Sequence, residues 1–266
     1  MVEPAVTLTA TLEEDLAFAF ELADVARGVT LAWFGRRLPV ELKHDATPVT
    51  EVDLAAERAI RSALAARFPR DGVLGEEQGL DEGTSGRRWV IDPVDGTKLF
   101  AEGIPLWCTL IALEVEGRPV LGVADTPALG ARYHAVAGAG AWRGGQRLRV
   151  SEVGRLADAF VTYSGLEEWV AGEREPALVR VAAAARRTRG LSDAWGQLLV
   201  AQGSVEAVLE HEACYAWDLA AMEVIVGEAG GRLSTLAGDP PRAGADLVVS
   251  NGAVHDELLE LVATAS

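Results

Sequence analysis

In the stretch WVIDPVDGTKLF, Trp89 to Phe100, Asp92 and Asp95 flank Pro93 and Val94 and are followed at once by Gly96, Thr97 and Lys98. An apolar run that stops at a carboxylate and then turns is a common way for a buried strand to end at the edge of a site. Glu76 and Glu77 close the short apolar run of DGVLGEEQG, and Asp218 follows Trp217 at the start of another apolar segment. Converging at one sheet edge, these acids would repel one another strongly. Oxygen ligands in that number are what a hexacoordinate divalent ion such as Mg²⁺ takes, with phosphate oxygens and water completing its shell. Pro93 fixes the turn between the two aspartates and leaves the Val94 carbonyl available as a further ligand. Gly96 lets backbone approach a ligand closely, and the N–H groups of Gly96 and Thr97, at a short helix start, can hold phosphate oxygens. The Thr97 hydroxyl can hand a proton to a carboxylate and orient a water. A single acid of this kind also reads as a solvated turn residue; the conjunction points to a water nucleophile beside a phosphate. The aspartate spacing does not fit an EF-hand loop.

The elements that must position these residues follow from periodicity. From Leu12 to about Phe34 apolar residues recur at helical intervals, with acids in the first turn. The polar RRLPVELKHDATPVTEVD reads as a loop, and Thr50 with Asp53 resembles a capping box before the helix DLAAERAIRSALAARF, which puts Asp53 near a helix start. DGVLGEEQG and RRWVIDPVDGT read as strands that end in carboxylates. A β-meander follows, with hairpins near Gly117 and Gly144–Gly145. After Ser151 strand and helix patterns succeed one another through AFVTYSG, EPALVRVAAAA, WGQLLVAQG, VEAVLE, WDLAAMEVIVGEAGG, DLVVSN and VHDELLELVATA. RVAAAARRTRG reads as a helix end whose cations suit the dipole, and LAGDPPRAGAD as a surface loop between paired strands. The reading is of two α/β halves, residues 1–150 with most of the acids and residues 151–266 with Asp218 and the substrate-facing residues.

Composition narrows the function classes. The 266 residues are 49% hydrophobic, enough for a sizeable core, and carry a formal charge of −16 from 24 Lys+Arg against 40 Asp+Glu. That balance argues against general affinity for nucleic acid or anionic membrane, so an anionic substrate needs a local cation. Neither a signal-peptide pattern nor an uncharged span of about 18 residues is visible, and a cytoplasmic protein is expected. Cys108 and Cys214 stand without a CxxC and read as reduced core thiols. Trp107 and Trp195 either line a pocket or fill core, with core the default. Of His44, His134, His211 and His255, only His211 lies near candidate site residues.

GEE at 75–77, WVIDPVDGT at 89–97 and WDLAAMEVIVGEAGG at 217–231 resemble, in order and spacing, the three signature blocks of the inositol monophosphatase-like superfamily. The resemblance spans nearly the whole chain. It implies a layered αβαβα sandwich, an α/β fold, and a Mg²⁺-dependent, Li⁺-sensitive phosphatase that is usually a homodimer with two or three ions per site. Matched position by position, Glu76, Asp92, the carbonyl of Val94, Asp95 and Asp218 correspond to the metal ligands, and Gly96 and Thr97 to the phosphate contacts. Asp53 corresponds to the acid that pairs with Thr97 to activate water, so that Asp53, Thr97 and Glu76 form the catalytic set. Glu77 is not a direct ligand in that pattern, and Lys43 lies in a loop where relatives carry a lysine beside the site.

Within the superfamily, DGTKLFAEGIPLWCTLIAL and RGLSDAWGQLLVAQGSVEAVLE are most similar to the histidinol-phosphate phosphatase group. Leu99 departs from the asparagine usual there, and His211, flanked by Glu210 and Glu212, stands where relatives place a substrate-contacting glutamate. The expected reaction is direct attack of a metal-activated water on a small phosphate monoester, L-histidinol phosphate, with Asp193, Glu210, Glu212 and Trp195 meeting the rest of the substrate. Inositol 1-phosphate, or another sugar or nucleotide phosphate, is the rival substrate. A haloacid-dehalogenase-type phosphatase needs its aspartates two apart, one of them attacking phosphorus, and gives GEE and WD no role. A metal-gated phosphate-ligand binding protein without turnover leaves the Asp53–Thr97 pair unexplained.

Overall fold

The computed structural model describes residues 10–36, 41–42, 48–49, 51–191 and 193–263. The chain opens with helix α1 (Ala10–Trp33), a small antiparallel pair β1 (Glu41–Leu42) and β2 (Pro48–Val49), and helix α2 (Glu51–Arg67). Strands β3 (Gly72–Gly75), β4 (Gly79–Asp81) and β5 (Arg87–Asp95) follow, then the short helix α3 (Thr97–Ala101). The meander comprises β6 (Cys108–Val115), β7 (Arg118–Thr126), β8 (Ala131–Val136), β9 (Gly140–Arg143) and β10 (Gln146–Arg147). Strands β3 to β10 make one eight-stranded sheet, ordered β10-β9-β8-β7-β6-β5-β3-β4, antiparallel except for the parallel pair β3 and β5.

The rest of the chain supplies β11 (Phe160–Tyr163), α4 (Leu166–Ala171), α5 (Glu175–Ala184), β12 (Arg187–Gly190), α6 (Asp193–Ala201), β13 (Ala207–Cys214), α7 (Ala216–Glu228), β14 (Arg232–Ser234), β15 (Ala245–Ser250) and α8 (His255–Ala263). Its five strands form a second sheet in the order β12-β11-β13-β15-β14.

Three apolar clusters define the layers. Phe18, Leu22, Ile60 and Leu64 of α1 and α2 pack on Trp89, Ile91, Ile111 and Leu113 of the large sheet. The opposite face of that sheet, with Val90, Leu110 and Ala112, packs on Leu198 of α6 and Met222 and Ile225 of α7, which in turn meet Val208 and Val249 of the second sheet. Beyond it, Val161, Leu209 and Val248 pack on Trp169, Val181 and Leu258 of α4, α5 and α8. The result is the αβαβα sandwich. The period-2 alternation of a strand places Asp92 on the same face as Val90, toward α7. Gly122 of β7 allows α7 to lie this close, since a Cβ there would run into the backbone of Ala221, 3.0 Å from its Cα.

Local differences from the sequence reading have physical causes. RTRG is not a helix end: α5 stops at Ala184, and Arg187–Gly190 is an edge strand parallel to β11 whose exposed arginines suit a solvent edge. The alanines at 182–184 keep their helical propensity inside α5, and the backbone pairs with β11 only from Arg187 onward. WGQLLVAQG lies in and just beyond α6, and VEAVLE opens β13. Strand β4 and helix α4 add to the expected elements, and the expected loop at 36–53 contains the β1–β2 pair and the start of α2 at Glu51. Thr50, Lys43 and His44 lie outside the described residues.

His255 ties α8 to two strands. Its ring is fully buried, with Nε2 2.9 Å from the Ser234 hydroxyl and Nδ1 2.8 Å from that of Ser250. Burial, with Arg232 nearby, pushes its pKa down from 6.5 to about 4. The unfolded chain therefore takes up this proton first, and stability present above the ordinary histidine pKa is lost as pH falls toward 4. The wild type should lose on the order of 2 kcal/mol more than His255→Gln between pH 7 and pH 4.5, read as converging urea midpoints. Parallel pH profiles would show that His255 is not the group responsible.

Candidate active site

β5 ends, and the site begins, where the ladder to β6 breaks between Asp92 and Asp95. Asp92 accepts the N–H of Val94 at 2.9 Å, and the Thr109 hydroxyl holds the Pro93 carbonyl at 2.8 Å, fixing the turn. Beneath it Val94 packs with Val52, Phe100 and Trp107, and the Phe100 and Trp107 rings meet edge to face at 4.9 Å. Gly96 sits at φ +85°, where a Cβ would meet the Leu106 carbonyl at 3.2 Å, and it caps α3. Asp218 reaches the same place from the third position of α7, where it accepts the Tyr215 N–H at 2.6 Å. Asp95 accepts the N–H of Ala194, from the start of α6, at 3.0 Å.

Asp92, Asp95 and Asp218 each present a carboxylate oxygen within 4.8 Å of the others. Glu76 stands on the same cleft, which encloses about 830 Å³ including its open mouth. Burial is the main force raising the pKa of all three aspartates. For Asp92 the charges of Glu76, Asp95 and Asp218 add to it; for Asp95 those of Asp193 and Asp218 do; and for Asp218 those of Glu76 and Glu210. An all-oxygen donor set that resists ionisation for want of a counter-charge fits a hard divalent cation. Beside it, the buried Thr97 hydroxyl has two acceptors, Val94 O at 3.0 Å and Asp53 Oδ1 at 3.3 Å. Asp53, from the first turn of α2, is itself fully buried.

The opposite wall comes from α6 and β13. Glu210 is buried, held between the Gln197 amide at 3.1 Å and the Cys214 thiol at 3.3 Å. Burial, with the charge of Asp193 next, pushes its pKa up to about 7, while the Cys214 thiol is driven far above its ordinary range and stays protonated. Asp193, in the left-handed region at φ +58°, also lines the cleft, as do Ser164, Tyr215 and Trp217. At the mouth Lys98, ion-paired with Glu168 at 3.3 Å, is the one cationic side chain among the described residues lining the cleft.

Two expected residues lie elsewhere. Trp195 packs against the central core and is not among the described residues lining the cleft. Two residues on from Asp193 along a helix, it points to a different side. His211 faces away from Glu210, as strand alternation requires, with its ring 5.1 Å from that of Trp169. The backbone of Glu212 belongs to β13, but its side chain lies outside the described residues. Glu57 was missed from the sequence altogether. One turn beyond Asp53 on α2, it is fully buried and accepts the N–H groups of Glu77 and Gln78 at 2.8 and 3.1 Å. The available signal was an acid four residues after Asp53, followed at the same spacing by Arg61.

A model of the inositol monophosphatase family matches residues 11–266. The chain belongs to that family. It is 45% identical over 256 residues to a histidinol-phosphatase of Streptomyces coelicolor, covering 92% of this chain and 96% of that one. A Mycobacterium tuberculosis histidinol-phosphatase is 40% identical over 252 residues, with the same coverage. Among solved structures, the extragenic suppressor protein suhB of Bartonella henselae aligns with a TM-score of 0.89 at 28% identity, covering 95% of this chain and 100% of that one. A Thermotoga maritima IMPase gives 0.85 at 31% identity, covering 94% and 96%. Histidinol-phosphatases and inositol monophosphatases are phosphoric monoester hydrolases, and the inositol monophosphatase family is generally Mg²⁺-dependent, in keeping with the acidic cluster found here.

The repulsion within that cluster yields a test. Asp92→Asn removes one of the mutually repelling charges while its side-chain oxygen can still accept the Val94 N–H. In EDTA the variant should melt a few degrees above the wild type, because about 1 kcal/mol moves the midpoint of a chain this size by roughly 2–4 °C. Added Mg²⁺ should raise the wild-type midpoint and not that of the variant, which should be inactive. Equal stabilisation of both by Mg²⁺ would place the ion elsewhere.

Proposed function

We propose that the protein hydrolyses L-histidinol phosphate to L-histidinol and phosphate at this cleft, with Mg²⁺ held by Glu76, Asp92, the Val94 carbonyl, Asp95 and Asp218. The observation that carries the reading is the meeting, in one cleft, of the aspartate cluster, the Thr97–Asp53 pair and the buried Glu210. When bound, the metal supplies positive charge that neutralises the phosphate, makes water more acidic and stabilises the leaving alkoxide. The chain's own residues do the rest. Gly96 and Thr97 offer backbone N–H groups to the phosphate oxygens at the start of α3. The Thr97 hydroxyl would pass its proton to Asp53 Oδ1 and take one from the attacking water, whose oxygen would bond to phosphorus without any bond to the protein being made. The P–O ester bond then breaks, and the alkoxide is protonated from solvent.

Discrimination falls to the opposite wall. Histidinol carries an ammonium and an imidazole where inositol carries only hydroxyls, and Glu210 and Asp193 give that wall two carboxylates. Charge-assisted hydrogen bonds of this kind contribute about 1.5–3 kcal/mol. Kinship with the histidinol-phosphatases supports the same substrate. In this reading residues 1–150 supply the machinery for phosphate and water, residues 151–266 supply Asp218 and the specificity wall, two or three ions bind per site, and the enzyme is a cytoplasmic homodimer.

Two measurements test the proposal. Thr97→Ala and Asp53→Asn should each lower kcat by about 10²–10⁴-fold with little change in KM, and the double variant should lose no more than the worse single. Multiplied losses would show two independent roles. On one preparation, kcat/KM for histidinol phosphate should exceed that for inositol 1-phosphate, and Glu210→Gln should cut that preference by about tenfold or more. Equal values for the two substrates would refute the assignment while leaving the phosphatase chemistry intact.

A further inference from the structure

The face of α2 that presents Asp53 to Thr97 presents Glu57 one turn later to the other end of the metal-binding acids. The Glu57 carboxylate lies against Gly75, so closely that a Cβ at that position would overlap it. From there it accepts the backbone N–H groups of Glu77 and Gln78, the two residues that follow Glu76. Arg61 closes the assembly: its Nε donates to Glu57 Oε1 at 2.7 Å, its Nη1 to Asp81 Oδ2 at 2.7 Å and its Nη2 to the Gly79 carbonyl at 2.5 Å. The turn from β3 to β4 is thus gripped at Glu77, Gln78, Gly79 and Asp81 by two side chains of one helix, and Glu76 is the residue of that turn that faces the cleft.

We infer that Glu57 is a positioning residue for the metal site: its carboxylate, oriented by Arg61, fixes the turn that aims Glu76. The inference rests on the metal reading above. A turn that carries acids and faces other acids is pushed outward by repulsion, and two charge-assisted hydrogen bonds from its backbone to a buried carboxylate oppose that push. Residues that orient metal ligands without touching the metal typically change affinity by about 10–100-fold when replaced. Glu57→Gln keeps the volume of the side chain. Its one remaining oxygen cannot serve both backbone N–H groups and Arg61, and its NH₂ group would face donors.

The test is Mn²⁺ binding followed by electron paramagnetic resonance on the wild type, Glu57→Gln, Arg61→Gln and Gly75→Ala, with His255→Gln as a variant destabilised far from the cleft. The first three substitutions should weaken Mn²⁺ binding by about tenfold or more. They should also raise the Mg²⁺ concentration for half-maximal hydrolysis in proportion, and leave the KM for histidinol phosphate at saturating Mg²⁺ within twofold. His255→Gln should leave Mn²⁺ affinity unchanged. If Glu57→Gln does not fold, Gly75→Ala, which displaces the carboxylate without removing it, carries the same expectation. Mn²⁺ affinity within twofold of wild type in the folded variants would overturn the inference, as would an equal loss in His255→Gln. Absence of Mn²⁺ binding by the wild type would overturn the metal reading itself, a different result from intact binding that ignores Glu57.

Discussion

Like charges buried together are the constraint on which this structure turns. Asp92, Asp95 and Asp218 lie within hydrogen-bonding distance of a common centre, and both burial and mutual repulsion oppose their ionisation. A chain that gathers such groups must hold each of them from outside the cluster. Asp92 is held by the turn at Val94, Asp95 by the Ala194 N–H at the start of α6, and Asp218 by the cap of α7. Each anchor is a backbone donor at the end of a strand or helix, where N–H groups lack regular partners, so the ends of the elements are spent on the site.

The sandwich explains why those ends can meet. The eight-stranded sheet brings Asp92 and Asp95, α7 between the sheets brings Asp218, and α6 lies close enough for its N-terminus to reach Asp95. The outer layer contributes through α2, whose one face carries both Asp53, hydrogen-bonded to the Thr97 hydroxyl, and the Glu57 carboxylate beneath the β3–β4 turn. Glu76, Asp92, Asp95, Gly96 and Thr97 reach the cleft from the first half of the chain, and Ser164, Asp193, Gln197, Glu210 and Asp218 reach it from the second.

Much of this was legible in the sequence for a specific reason. Asp92, Asp95, Gly96 and Thr97 lie within one short stretch, 92–97, so their types and spacing announce a turn with carboxylates whatever the rest of the chain does. The layered fold followed from a resemblance covering nearly the whole chain and agrees with the observed architecture. Legibility failed where orientation depends on packing. Glu210 faces the cleft and His211 faces Trp169 because Val208 packs into the central layer and Leu209 into the outer one. Trp195, offered both as core and as a substrate contact, packs partly buried against the central core, because two residues along a helix turn it to a different side from Asp193. Glu57 escaped notice because its worth lies in a turn 20 residues away in sequence, and Arg187–Gly190 because an edge strand is recruited by its neighbour more than by its own residues.

Gly122 has a further consequence for how this molecule can vary. With no room for a methyl group between β7 and Ala221, the spacing between sheet and helix is set by backbone against backbone, and side-chain repacking cannot restore it once it is lost. Drift in sequence along this seam is therefore confined to residues that leave the contact bare. The rim of the cleft, where Lys98, Tyr215 and Trp217 meet solvent, has no such restriction. Any displacement of α7 at this seam would carry Asp218 with it, so the placement of one carboxylate of the cleft depends on a glycine in the neighbouring sheet.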